Sequence, residues 1–117
     1  MEATINEKAM KAIVTYLERR GFEILESGWA HGTDGVEFIA REEDDLVFVI
    51  TEVVQDGGDG FPEEKVDRAA LERVAAAYLA QAAGSADYAV RFDFVSMLVL
   101  GGSRAFLRHH RNCLSEA

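Results

Sequence analysis

Nine consecutive residues, Leu46 to Val54 (LVFVITEVV), hold a single charged side chain, Glu52, and are rich in β-branched types. A run so continuously apolar suits a central strand covered on both faces. The remainder of the chain supplies what such a strand needs. Asn6 to Arg20 reads as an amphipathic helix, with Ala9, Ile13, Tyr16 and Leu17 at helical spacing and charges between them. Gly21 after Arg19 and Arg20 marks its stop. A second helix is expected from Pro62, Glu63 and Glu64 to about Ala83, because proline suits a first turn and acids favour the positive end of the helix dipole. Val66, Ala70, Val74 and Ala77 share one of its faces, and Gly84-Ser85-Ala86 ends it.

Between and after the helices lie the other strands. Phe22 to Trp29 and Val36 to Arg41 flank the turn-forming segment His31-Gly32-Thr33-Asp34-Gly35, and Glu42 to Asp45 makes a charged turn before the apolar run. Gln55 to Phe61 contains three glycines and reads as a loop. Tyr88 to Leu100 is a further extended run with a bend expected near Ser96. Gly101-Gly102 then turns the chain into a short edge strand over Arg104 to Leu107. The expected order is α-β-β-β-α-β-β, an α/β domain with a mixed central sheet, a meander first and a crossover helix after it.

Composition narrows the function. The length, 117 residues, suits one domain spanning 1–117, and 49% hydrophobic residues suffice for a core. No segment approaches the roughly 20 apolar residues of a membrane span, and the polar start Met1 to Asn6 has no signal-peptide pattern. A single cysteine, Cys113, excludes an internal disulfide and fits a cytoplasmic location. A formal net charge of −9 sets the chain against nucleic acid as a partner, since phosphate neutralisation carries much of that affinity. The charge is uneven, however. Arg104, Arg108, His109, His110 and Arg111 gather near the end and form either a phosphate-contacting cluster or a solvated tail or helix face.

Two carboxylates stand out. Strand alternation places Glu37 on the face of Ile39, and Glu52 on the face of Phe48 and Ile50. A carboxylate on an apolar face is costly unless paired, metal-bound or at a sheet end. Two such acids on neighbouring strands suit Mg²⁺, which takes a few hard oxygen ligands and completes its shell with water; the competing reading puts both at strand ends in solvent. Other candidates are weaker. His31 and Asp34 belong to turn chemistry, and Asp93 reads as a structural hydrogen-bond acceptor beside Arg91 and Val95. His109-His110 lacks a further ligand at metal spacing, and glycines 57, 58 and 60 have no strand-Gly-helix context for phosphate.

Five segments in order resemble the YraN-like family of uncharacterised proteins, usually described as suspected endonucleases with a restriction-endonuclease-like fold. They are Tyr16 to Leu25 (YLERRGFEIL), Gly35 to Ala40 (GVEFIA), Leu46 to Val49 (LVFV), Phe61 to Glu64 followed by Leu71, Ala75, Tyr78 and Leu79, and Arg91 to Val95 (RFDFV). The resemblance implies a helix acid, a Gly-Glu-x-Asp run in the second strand and Glu-x-Lys in the third. In register those positions hold Met10, with Glu7 a turn earlier; Gly35 and Glu37; and Ile50 and Glu52. Only Glu37 keeps its chemical type. The expectation is therefore a non-catalytic member of a nuclease-like family, acting as a nucleic-acid-associated or scaffolding module. Two alternatives stand beside it: a Mg²⁺-dependent DNA endonuclease whose catalytic and metal-binding residues are Glu37 and Glu52, and a protein-interaction or homodimer module. Nucleic-acid contact, if made, is expected at Arg104, Arg108 and Arg111.

Overall fold

A computed structural model describes residues 5–55, 66–82, 89–100 and 104–114. The elements in chain order are α1 (Ile5–Arg19), β1 (Glu23–His31), β2 (Asp34–Glu42), β3 (Asp45–Gln55), α2 (Arg68–Ala82), β4 (Ala89–Val99) and β5 (Ala105–His110). The apolar run of Leu46 to Val54 lies inside β3, the middle strand of a five-stranded sheet ordered β1-β2-β3-β4-β5. Antiparallel pairs join β1 to β2, β2 to β3 and β4 to β5, while β3 and β4 run parallel from Asp45–Ala89 to Gln55–Val99. The chain is thus an α/β protein with a mixed sheet, in the expected element order.

Alternation along β3 serves both layers at once. Val47 and Val49 face α1 and pack with Ala9, Ile13 and Leu17, together with Phe38, Ala40, Val95 and Met97 of the neighbouring strands. Leu46 and Phe48 face α2 and pack with Leu71, Val74, Ala75 and Tyr78. The Tyr78 ring meets both Phe48 and Trp29 edge-on, at centroid distances of 5.9 and 5.3 Å.

Helix α1 stops through a glycine-centred C-terminal motif. The Phe22 N–H donates to the Leu17 carbonyl (3.0 Å), the Gly21 N–H donates to the Glu18 carbonyl (3.1 Å), and Gly21 has φ +93°. Phe22 then buries itself against the cluster that holds Leu17, which fixes where β1 departs.

Several features differ from the sequence expectation: β1 runs on to His31 and β2 starts at Asp34, inside the segment read as a turn. Helix α2 begins at Arg68, with Asp67 accepting a hydrogen bond from the Ala70 N–H at 3.1 Å, so a side-chain cap sets the start. Val66 precedes that cap; Pro62 to Glu64, the glycines at 57, 58 and 60, Gly84 to Ala86 and Gly101-Gly102 lie outside the described residues. Strand β4 is continuous through Ser96, without the expected bend, because every residue from Ala89 to Val99 stays in register with β3. Strand β5 extends past Leu107 to His110, so the two histidines are sheet residues.

Asp67→Ala is expected to lower unfolding free energy by about 1 kcal/mol through loss of the cap. Gly21→Ala is expected to cost about 1–2 kcal/mol from backbone strain alone, since a Cβ there meets no atom within 4 Å. Urea denaturation of both variants measures these differences.

Candidate functional site

Strands β2 and β3 pair from Glu42–Asp45 up to Phe38–Val49, and their recorded register ends there. Beyond that point an open cleft of about 640 Å³ lies against the first turns of α1, bordered by Asn6 and Met10 from the helix, Ser27 and Gly28 from β1, and Glu37, Thr51 and Glu52 from the sheet. The cleft depends on a break in β2. Val36 packs in the α2 layer and Phe38 in the α1 layer, so strict two-residue alternation fails between them. This corrects the pattern that grouped Glu37 with Ile39. Ile39 faces α2, whereas Glu37 reaches Thr51, whose hydroxyl also lies 3.7 Å from the Met10 sulfur on the α1 side.

Glu37 is half-buried, and burial pushes its carboxyl above the ordinary value. Hydrogen bonds from the Thr51 hydroxyl and from the main-chain N–H groups of Thr51 and Glu37 itself oppose that rise without cancelling it. Glu52 borders the same cleft and follows Thr51 in β3, so alternation turns its side chain away from the α1 face. Ile50 packs against the α2 layer, and Met10 packs against the α1 layer. At Gly35 a Cβ would stand 3.2 Å from the Trp29 carbonyl oxygen, which disfavours any larger residue there.

The other sequence candidates are dispersed. Asp34 makes a two-point ion pair with Arg73 of α2, at 2.8 and 3.1 Å, and this partner holds its carboxyl below the usual range. His31 is exposed and stacks on Trp29. Glu7 does not border the cleft, although its helix neighbours Asn6 and Met10 do. Among the described residues no three His, Cys, Asp or Glu side chains converge on a metal position. Arg104 is exposed, Arg108 stands opposite Ser96 in β5, and Arg111 is held by Glu42 beneath the Phe22 ring.

Residues 10–97 match the profile of the Uncharacterised protein family UPF0102. The chain belongs to that family. A UPF0102 protein of Beutenbergia cavernae is 33% identical over 99 residues, covering 82% of this chain and 83% of the relative. The matched segment of the UPF0102 domain begins at Met10 and takes in Glu37, Thr51 and Glu52; of the described residues bordering the cleft, all but Asn6 fall inside the shared region.

A second polar centre escaped the sequence reading in part. Asp93 of β4 is fully buried, with both oxygens occupied. Oδ1 accepts from Arg91 Nε (2.9 Å) and the Asn112 N–H (2.9 Å), and Oδ2 accepts from Arg91 Nη2 (3.0 Å) and lies 2.8 Å from His109 Nε2. With a carboxylate at Nε2, that nitrogen carries a proton, and Nδ1 is hydrogen-bonded to the Tyr16 hydroxyl at 3.0 Å. Arg91 also donates to Glu42 and Asp45, and Arg111 donates to Glu42. Burial raises the Asp93 carboxyl, but the bonds from His109, Arg91 and Asn112 together outweigh it and leave it below the ordinary value. Asp93 is thus the hydrogen-bond acceptor that the sequence suggested. His109 belongs to the protein interior, which corrects its assignment to a solvated basic cluster.

No helix among the described residues is long and apolar enough to cross a membrane.

Two titration outcomes follow. Because Glu37 is raised in the folded state, its contribution to stability is lost as pH rises through that raised value. Glu37→Gln is therefore expected to gain melting temperature over the natural chain at pH 8, with the gain shrinking toward pH 4. Asp93 has the opposite sign: its stabilisation is present above the ordinary carboxylate range and lost as pH falls through its lowered value. Asp93→Asn is expected to cost about 3–5 kcal/mol at pH 7 and to flatten the acid limb of the stability profile, read by thermal melts from pH 2 to 8.

Proposed function

We propose that this UPF0102 protein is a non-catalytic, nuclease-like module that associates with nucleic acid through surfaces other than its cleft. The observation that carries this reading is the lining of the cleft. Where the family resemblance places a helix acid, a strand glutamate and Glu-x-Lys, this chain has Met10, Gly35, Ile50 and Glu52, and Glu37 alone remains in kind. A phosphodiester site needs positive charge to receive a polyanion and to stabilise charge developing on phosphate oxygens. Among the described residues, those bordering this cleft include two glutamates and no lysine or arginine. Glu37 is instead engaged with Thr51, and its raised carboxyl suits a hydrogen-bonded structural role.

A Mg²⁺ site on Glu37 and Glu52 is the competing reading, favoured by both carboxylates bordering one cleft. Oxygen ligands from two acids and several waters match the preference of Mg²⁺. Thr51 shares the α1 side with Glu37, and bringing both carboxylates onto one ion requires Glu52 to swing toward that side.

Incubation with linear, branched and single-stranded DNA in Mg²⁺ or Mn²⁺ separates the two. No cleavage products are expected above a metal-free control, and a calorimetric Mn²⁺ titration should be indistinguishable between the natural chain and Glu37→Gln. Metal-dependent cutting that disappears in Glu37→Ala would overturn the proposal in favour of a migrated active site.

A further inference from the structure

The outer surface of α1 carries a groove of about 460 Å³ built by the helix itself. Lys11, Thr15 and Arg19 follow one another at four-residue intervals, and Ala12, Tyr16 and Arg20 form the adjacent row. The groove between two such rows is a regular feature of helix surfaces. Its lining here is not ordinary for this chain. Among the described residues, three of the six bordering side chains are cationic and none is acidic, on a protein of formal net charge −9.

Ion pairing separates these cations from four arginines elsewhere in the fold. Arg41 is held by Glu23, Arg73 by Asp34, Arg91 by Asp93, Glu42 and Asp45, and Arg111 by Glu42. Among the described residues no carboxylate forms a salt bridge with Lys11, Arg19 or Arg20. Glu18 shares the helix and is exposed, but it does not border the groove. Position at a helix C-terminus accounts for Arg19 and Arg20 by the dipole alone; it does not account for Lys11, two turns earlier, nor for the polar Thr15 between them.

The groove is also braced from within. The Arg20 guanidinium lies over the Tyr16 ring at 5.1 Å from its centroid. Tyr16 is tied through its hydroxyl to His109 Nδ1, and His109 is tied to the fully buried Asp93. A stacked guanidinium presents its edge N–H groups outward, in the fork that matches phosphate oxygens. From Lys11 to Arg19 the helix rises about 12 Å, over which one strand of a duplex presents three or four phosphates at roughly 3.4 Å of axis each.

We infer that the Lys11–Thr15–Arg19 and Tyr16–Arg20 rows of α1 form the nucleic-acid backbone contact of this protein. The inference rests on the proposed nucleic-acid association and specifies where it occurs: on α1, and not at Arg104, Arg108 and Arg111, which the sequence singled out. Thr15 and the two arginines donate to phosphate oxygens, Lys11 supplies a point charge, and no base is read.

Fluorescence anisotropy with a labelled 20-base-pair duplex tests this, at salt from 50 to 200 mM and without divalent metal. The probes are the natural chain, Lys11→Gln/Arg20→Gln and Arg104→Gln, each checked for folding by circular dichroism. The double variant is expected to bind at least about ten-fold more weakly at 50 mM salt, and its slope of log K against log salt should fall by about 1.8, or 0.9 for each phosphate contact removed. Arg104→Gln should bind as the natural chain does. Duplex binding that the double variant leaves intact, or that Arg104→Gln abolishes, overturns the α1 assignment while the proposed association stands. Absence of duplex binding by the natural chain at 50 mM salt overturns both.

Discussion

Asp93 accepts hydrogen bonds from Arg91, from the Asn112 main chain and from His109, and those partners reach on to Glu42, Asp45 and Tyr16. One carboxylate thereby joins β4, the turn between β2 and β3, the residues after β5, and the C-terminal half of α1. Each of these joins is remote in sequence: Tyr16 and His109 are 93 positions apart, and Arg91 and Glu42 are 49 apart. A buried charge is costly unless its hydrogen-bonding capacity is met, and here no buried side-chain polar atom among the described residues lacks a partner. The network therefore penalises any arrangement of the strands that leaves one member unmatched. Apolar packing on both faces of β3 gives the fold most of its favourable free energy, and the network adds directional contacts that packing by itself does not supply.

The two ends of the α1 face differ in chemistry for a physical reason. At the end near Asp93, charges of both signs interlock and are mutually satisfied. At the other end, β2 and β3 stop pairing, the alternation of β2 breaks between Val36 and Phe38, and Glu37 is left half-buried with no ion-paired cation among the described residues. Its neutral partners, Thr51 and main-chain N–H groups, solvate it only in part, and its carboxyl rises accordingly. Among the described residues this end carries Glu37 and Glu52 and is bordered by Met10 and Asn6.

Much of the fold was legible because its signals are local. The apolar run of β3, the spacing of Ala9, Ile13 and Leu17, and the stop at Gly21 each act within a few residues, and all stand where the sequence placed them. The start of α2 was not, since Pro62 and the adjacent acids offered a stronger textual signal than the single side chain of Asp67 that caps the helix. His109 was misplaced because its neighbours in sequence are basic while its partners in space are Tyr16 and Asp93; no window of local composition contains all three. Glu37 was found as a residue but assigned the wrong face, because alternation was carried through a position where the strand breaks its own period.

The parallel pairing of β3 with β4 has a consequence for how the chain emerges and collapses. The first three strands are joined by tight turns and can zip up as a meander as soon as Gln55 is made, but the partner of β3 on its other side begins 44 residues beyond Asp45, at Ala89. Through that interval the most apolar and β-branched strand in the protein is an edge, with its outward N–H and C=O groups unpaired. Such an edge is a template for another copy of itself. During synthesis, then, the segment most useful to the finished sheet is the one most in need of shielding, and Glu52, the sole charge between Leu46 and Val54, is the charged side chain within it that discourages a second strand from adding on.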